Sequence, residues 1–213
     1  MRALVIGGAG AAGSRIVDEL GRRGHEATVA SRRPTASPGF SICLDASDVE
    51  SVSAAAAGVD VVVSATRPAP GHEADVDDVT VSIAAAADRV GVRLVVVGGA
   101  APLRVPGTGG TALEDPAFVP VAIRPIAAAS VRQLELLRAS GRGVDWVYLA
   151  PAADFAPGEV RGSYRRHVGD EAGAELVVAG DGSSQISMED HALAVCDEIE
   201  RPTVVRRVIS VGW

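Results

Sequence analysis

The chain has 213 residues, 47% of them hydrophobic and 3% aromatic, with 24 glycines and a formal net charge of −7. That length and apolar content suffice for one globular domain with a sizeable core. The acidic balance, without any basic block, gives no footing for nucleic acid; no apolar stretch is long enough for a membrane span and the first residues read as a strand rather than a signal peptide, so a cytoplasmic protein is expected.

In chain order, the apolar run Ala3-Leu4-Val5-Ile6 enters Gly7-Gly8-Ala9-Gly10-Ala11-Ala12-Gly13 and then an amphipathic stretch. This predicts a strand over 3–6, a tight glycine turn and a helix over 10–23. Such a turn lets backbone approach a dinucleotide pyrophosphate, and the free N–H groups and dipole of the helix start attract its charge. Gly7, Gly10, Ala11, Ala12 and Gly13 are therefore expected to hold a cofactor.

A strand over 27–30 ends on Ser31-Arg32-Arg33-Pro34. An acidic residue there would hold the two ribose hydroxyls of NAD(H), whereas Ser31, Arg32 and Arg33 suit the 2′-phosphate of NADP(H). NADP(H) is accordingly expected over NAD(H), the alternative being that the two arginines form a solvated turn. A strand over 41–44 puts Asp45 and Ala46 near the adenine. After a helix over 49–57 and a strand over 59–63, Ala65, Thr66 and Arg67 should run along the pyrophosphate and the nicotinamide ribose. His72 follows Pro70-Gly71 near the expected mouth of the site, as a proton donor or simply as a loop residue.

A helix over 75–90 leads to a strand over 94–97 that ends on Gly98-Gly99. Arg124, a candidate anion-orienting group, precedes a helix over 125–140, and a strand over 146–149 ends near Pro151. Strands alternating with helices predict an α/β chain, a Rossmann-type doubly wound parallel sheet, with 1–213 as a single NAD(P)-binding domain. From about 151 to 187, turn signals such as Pro157-Gly158, Arg161-Gly162 and Asp181-Gly182 separate short strand-like pieces. This portion is expected to form a small C-terminal substrate lobe closing over the cofactor. Ser187 should cap a last helix over 189–200, with Asp190 in the capping-box position, before a final strand over 204–211.

All 20 basic residues are arginine. Schiff-base chemistry, a P-loop lysine and a Tyr/Lys catalytic pair are thereby excluded. Cys43 and Cys196 are far apart, without metal-ligand spacing, and are read as buried thiols; no metal is expected. His25, His167 and His191 are read as structural or solvated. No residue is singled out as catalytic.

With these pieces placed, the chain resembles the atypical short-chain dehydrogenase/reductases grouped as NAD(P)H-binding, NADH-flavin reductase-like proteins, relatives of biliverdin IXβ/flavin reductase. The resemblance rests on Gly7 to Gly13 with Ser14-Arg15, Val96-Val97-Gly98-Gly99-Ala100 with Pro102-Leu103, and Asp145-Trp146 with Leu149-Ala150-Pro151-Ala152. It continues through Phe155-Ala156-Pro157-Gly158-Glu159, Gly162-Ser163-Tyr164-Arg165, Ser184-Gln185-Ile186-Ser187 with Glu189-Asp190, Asp197-Glu198-Ile199-Glu200 and Val211-Gly212-Trp213. It implies a nicotinamide whose reactive face lies beside Gly98, Gly99 and Pro151, with a substrate over it near Ala100, Pro102 and Phe155. Relatives of the biliverdin-reductase type use a serine at the end of the fifth strand; the matching position here is Gly99, so that role does not carry over. Hydride transfer to an oxidised flavin needs stacking and orientation more than a protein acid. The leading expectation is an NADPH-dependent reductase of a flavin or another planar conjugated small molecule, acting as monomer or homodimer. A non-catalytic NADP(H)-binding regulator and a small-molecule tailoring reductase or isomerase stay open.

Overall fold

β1 (Arg2–Ile6) is buried from Ala3 onward because it lies inside the sheet and helices cover both of its faces. The computed structural model describes residues 1–33, 40–170 and 173–213. Among them the strands are β1, β2 (Glu26–Ser31), β3 (Phe40–Cys43), β4 (Val61–Ser64), β5 (Arg93–Val97), β6 (Trp146–Ala150), β7 (Asp154–Ala156), β8 (Arg165–Val168), β9 (Gln185–Ser187) and β10 (Arg207–Gly212). The helices are α1 (Ala11–Arg22), α2 (Val49–Ala56), α3 (Asp75–Val90), α4 (Arg124–Ala139) and α5 (Met188–Glu200).

The main sheet runs β3-β2-β1-β4-β5-β6-β10-β8. Every pairing is parallel except the last, in which β8 runs antiparallel to β10. The fold is a Rossmann-like α/β architecture, and its strand order reverses between β1 and β4. A ligand crevice belongs at that point, beyond the carboxyl ends of the strands.

Two apolar cores fill the layers. Leu4, Ile6, Val62, Leu94, Val96, Trp146 and Tyr148 join residues of α2, α3 and α4 on one face. Val5, Val63, Val95, Val147, Leu149 and Ile209 join Ile16, Leu20, Val195 and Ile199 of α1 and α5 on the other. The 151–187 portion contributes β7 and β9, which form a separate two-stranded parallel sheet, while its β8 joins the edge of the main sheet. Among the described residues no helix is long and apolar enough to cross a membrane.

Several boundaries move for local reasons. β4 starts at Val61 rather than 59 because Gly58 takes φ 78° and the Val59 N–H turns back to the Ala56 carbonyl, closing α2. β10 starts at Arg207 because Arg206 adopts φ 55°, held there by its guanidinium, which donates to the carbonyls of Arg138, Ser140, Gly141 and Val144. Cys196 is buried as expected, and burial pushes its thiol up to about 12. Cys43 is a correction: it is exposed, because β3 is the edge strand and its last residue points away from the core.

At the amino end of β5, Arg93 donates to Asp145 (2.7 Å), to Glu198 (2.8 Å) and to the Val204 carbonyl (2.8 Å). The Glu198 side chain is only 2% exposed and otherwise leans on Thr203, with Arg166 at 4.0 Å. Removing Arg93 leaves a buried charge largely uncompensated, at a cost of about 3–5 kcal/mol. We expect Arg93→Met to lower unfolding stability by that amount in urea titrations, and Glu198→Gln in the same background to recover part of it.

Candidate functional site

The glycine turn joins β1 to α1 at the switch point, and each glycine answers a different contact. Gly7 has φ 82°, and a Cβ there would lie 2.5 Å from the Ala65 carbonyl oxygen at the end of β4. At Gly8 the Cβ would come within 2.9 Å of the Val5 carbonyl oxygen, and at Gly13 within 2.2 Å of the Gly7 carbonyl oxygen. These three glycines let the turn, α1 and β4 close on one another. Gly10 is different: it is exposed, and its Cβ would meet only the Gly7 carbonyl oxygen, at 3.2 Å.

Helix α1 begins without a capping side chain and without an acidic residue in its first turn. Past the Gly10 N–H, which donates to the Gly7 carbonyl at 2.9 Å, its exposed start presents N–H groups that a phosphate would satisfy. A backbone cradle that a Cβ would fill, at an uncapped helix start, fits a dinucleotide pyrophosphate.

Around this cradle the structure gathers most of the expected residues. Ala65, half-buried, donates its N–H to the Ile6 carbonyl, and the Thr66 hydroxyl lies 3.2 Å from that of Ser64. Arg67 is exposed at the same end. Arg32 and Arg33 are exposed at the end of β2, while Ser31 turns its hydroxyl onto the Arg33 carbonyl at 2.6 Å. The continuation from Pro34 lies outside the described residues. Hydrogen bonds from the Ser47 hydroxyl and N–H hold the Asp45 carboxyl below its usual range, with the nearby Arg32 charge adding to this. The Ala46 side chain is buried in the core.

The next strand ends build a second, flatter region. Gly98 donates its N–H to the Leu149 carbonyl, which sets it beside the end of β6 and Pro151. A Cβ at Gly98 would fall 2.1 Å from the ring of Tyr148. The Tyr148 hydroxyl accepts the Gly99 N–H at 2.9 Å and donates to the Ser130 carbonyl at 3.0 Å. Burial pushes that phenol up to about 12, so it stays neutral and braces the strand end. Ala100 and Pro102 are half-buried nearby in sequence, and Phe155 tilts against the His191 ring with centroids 5.0 Å apart.

Two candidates stand apart. The His72 side chain is 70% exposed and 4.0 Å from the Asp75 carboxylate, in solvent rather than against the strand ends. Arg124 opens α4 and donates to the Glu114 carbonyl at 3.3 Å, so part of its guanidinium is engaged within the loop.

Sequence reasoning missed what holds the C-terminal portion in place. Ser187 does cap α5, accepting the Asp190 N–H at 3.0 Å, but Asp190 does not close the expected capping box. Its buried carboxylate instead accepts the N–H groups of Arg161 and Gly162 and the indole of Trp213. Arg161 in turn lies 3.5 Å over the Trp213 ring. Glu189 bonds Arg15 of α1 at 2.5 Å and the Gly158 N–H at 2.8 Å. Burial raises the Glu189 carboxyl, and these two partners outweigh it and leave the net shift downward. The loop from 157 to 162 is thus fastened beside the first turn of α1. The only sequence signal for this was the Glu189-Asp190 pair.

A cavity of about 660 Å³ lies elsewhere, between α5 and the β8–β10 edge. Leu149, Ile209 and Val211 contribute to its wall, and its charged groups pair with one another: Arg23 with Asp197 and Glu200, and Tyr164 with Asp197. None of the strand-end groups apart from Leu149 lines it, so it is not taken as the cofactor crevice. Among the described residues no cluster of His, Cys, Asp or Glu could hold a metal.

The sequence profile of the family described as NAD(P)H-binding matches residues 7–202. YwnB, an uncharacterised protein of Bacillus subtilis (strain 168), is 34% identical over 205 residues, covering 95% of this chain and 93% of its own. The crystal structure of a candidate NADH-flavin reductase from Streptococcus pneumoniae TIGR4 is 30% identical with TM-score 0.88, covering 100% of this chain and 99% of its own. A candidate epimerase from Bacteroides thetaiotaomicron is also 30% identical, with TM-score 0.86, covering 100% of this chain and 96% of its own.

The contrast among the glycines is testable. Gly13→Ala should cost about 1–3 kcal/mol of stability through overpacking and abolish nucleotide binding. Gly10→Ala should weaken binding while leaving the urea midpoint nearly unchanged.

His191 yields a second test. Burial pushes it down to about 4, an effect that the nearby Leu149 carbonyl offsets only partly, without completing a hydrogen bond to either ring nitrogen. The unfolded chain takes up this proton near the ordinary value and the folded chain does not, so stability falls as pH drops from 6.5 toward 4. The loss is roughly 1.4 kcal/mol by about pH 5.5 and roughly 3 kcal/mol at the lower limit. Urea titrations at neutral and mildly acid pH should show this slope in the wild type and its absence in His191→Leu.

Proposed function

The chain belongs to the NAD(P)H-binding family, and on that premise we propose an NADPH-dependent oxidoreductase that reduces a flavin or another planar conjugated small molecule. The observation that carries this reading is the pairing, at one end of the sheet, of an uncapped glycine cradle at the switch point with the side-chain-free strand end Gly98-Gly99. Backbone N–H groups of 11–13 hold the pyrophosphate, and Arg32 and Arg33 hold the 2′-phosphate with charge-assisted bonds. Gly98, Gly99 and Pro151 leave a flat surface against which a nicotinamide ring can lie, with Ala100, Pro102 and Phe155 beside the acceptor.

Bound NADPH supplies the hydride. What the chain supplies is orientation and exclusion of water. Tyr148 is committed to bracing Gly99 and Ser130, and His72 stands in solvent. The acceptor that suits such a site is one that takes hydride without a protein acid. The similar Bacteroides structure, a candidate epimerase, favours a second reading, a cofactor-assisted isomerase, which would turn over substrate without net loss of NADPH.

NADPH should bind at least tenfold more tightly than NADH. Each of Arg32→Ala and Arg33→Ala should weaken NADPH by roughly 10- to 100-fold, the scale of a hydrogen bond to a charged group, and leave NADH unchanged. Cofactor fluorescence titrations read both effects. NADPH absorbance followed with FMN, riboflavin and menadione then tests the activity: loss with one of these acceptors supports the reductase. Tight NADPH binding without turnover of any of them counts against it.

A further inference from the structure

The nicotinamide end of the crevice lacks a side chain on β5, yet it does not lack a hydroxyl. A Cβ at Gly99 would lie 2.8 Å from the Ser130 hydroxyl oxygen and 2.9 Å from the Ser130 Cβ. Ser130, half-buried in the second turn of α4, thus fills the volume that a side chain at 99 would occupy. Its position is fixed by a relay in which the Gly99 N–H donates to the Tyr148 hydroxyl and that hydroxyl donates to the Ser130 carbonyl. A group held this way is preorganised relative to the strand end.

We infer that Ser130 is the hydroxyl that binds the acceptor at this site, by donating a hydrogen bond to a carbonyl oxygen next to the hydride-accepting atom. This rests on the hydride-transfer reading and narrows its acceptors to carbonyl-bearing planar molecules such as flavins and quinones. Of the other nearby hydroxyls, Tyr148 is engaged on both sides, and Ser64, buried, shares a single bond with Thr66 at 3.2 Å at the end of β4 rather than β5. Ser130 Oγ donates to the Ala127 carbonyl at 2.7 Å. That local bond is replaceable, because rotation about χ1 moves the donor to a ligand while the helix keeps its own backbone bonds. As the acceptor gains a hydride, negative charge gathers on its carbonyl oxygen and Ser130 stabilises it there. Solvent then supplies the proton, and Ser130 ends unchanged.

The test compares the wild type with Ser130→Ala, a substitution that suits a helix. With menadione or FMN as acceptor, kcat should fall on the order of 100- to 1000-fold, as for loss of one donor to a developing oxyanion. NADPH affinity and melting temperature should stay at wild-type values. A second readout needs no turnover: FMN binding to the NADP⁺-loaded protein, followed by flavin fluorescence quenching, should weaken about tenfold, the scale of a single hydrogen bond. Moving the hydroxyl across, in Gly99→Ser with Ser130→Gly, should restore part of both. Wild-type kcat and FMN affinity in Ser130→Ala would overturn the inference while leaving the reductase reading intact. A wild type that binds NADPH but turns over no acceptor overturns the reductase reading, and the FMN titration then still decides Ser130. Failure of the wild type to bind FMN overturns the inference as well.

Discussion

The Gly7 carbonyl is the crowded point of the molecule. The backbone of Gly13 packs on it from α1, and Gly7 itself abuts the Ala65 carbonyl at the end of β4, so closely that no Cβ fits at either glycine. Those contacts draw the start of α1 and the ends of β1 and β4 together where the strand order reverses. The consequence is electrostatic. With the turn fixed, the first N–H groups of α1 point outward, uncapped, and only an anion or water completes them.

Everything else at this end of the sheet is arranged relative to that turn. On the α1/α5 face, Glu189 links Arg15 to the Gly158 N–H, and Asp190 collects two backbone N–H groups and the Trp213 indole. Two adjacent carboxylates at one helix start therefore anchor α1, the loop before β8 and the end of β10. Each bond has a partly or fully buried partner, where hydrogen bonds to charge are stronger than at the surface. On the opposite face Tyr148 plays the comparable part, tying the end of β5 to α4 through Gly99 and Ser130. The crevice is thus walled by two rigid fastenings, one ionic and one neutral.

Much of this was legible in the chain. The alternation of apolar runs and helical stretches predicted the parallel sheet, and the Gly7 to Gly13 motif marked the turn, because these features depend on neighbours in sequence: side-chain period, glycine freedom and capping. The errors occurred where a residue's partner is distant. Asp190 reads as a capping-box residue from its spacing, yet three donors from 161, 162 and 213 outcompete the single N–H that the box offers. Cys43 reads as a core thiol, but β3 is an edge strand and leaves it exposed. The start of β10 shifted because Arg206 exchanges extended backbone for four distant carbonyls.

The sequence by itself determined the fold class, the site of the glycine cradle and the absence of any lysine chemistry, since each is a property of residue type and short-range order. Only the tertiary structure decided which hydroxyl stands against Gly99 at the end of β5. Position 99 is empty along the chain, and the group that fills its space comes from α4, 31 residues later in numbering, carried there by helix-on-sheet packing. Close packing makes volume a shared quantity: a side chain absent from one strand is supplied by whichever element lies against it.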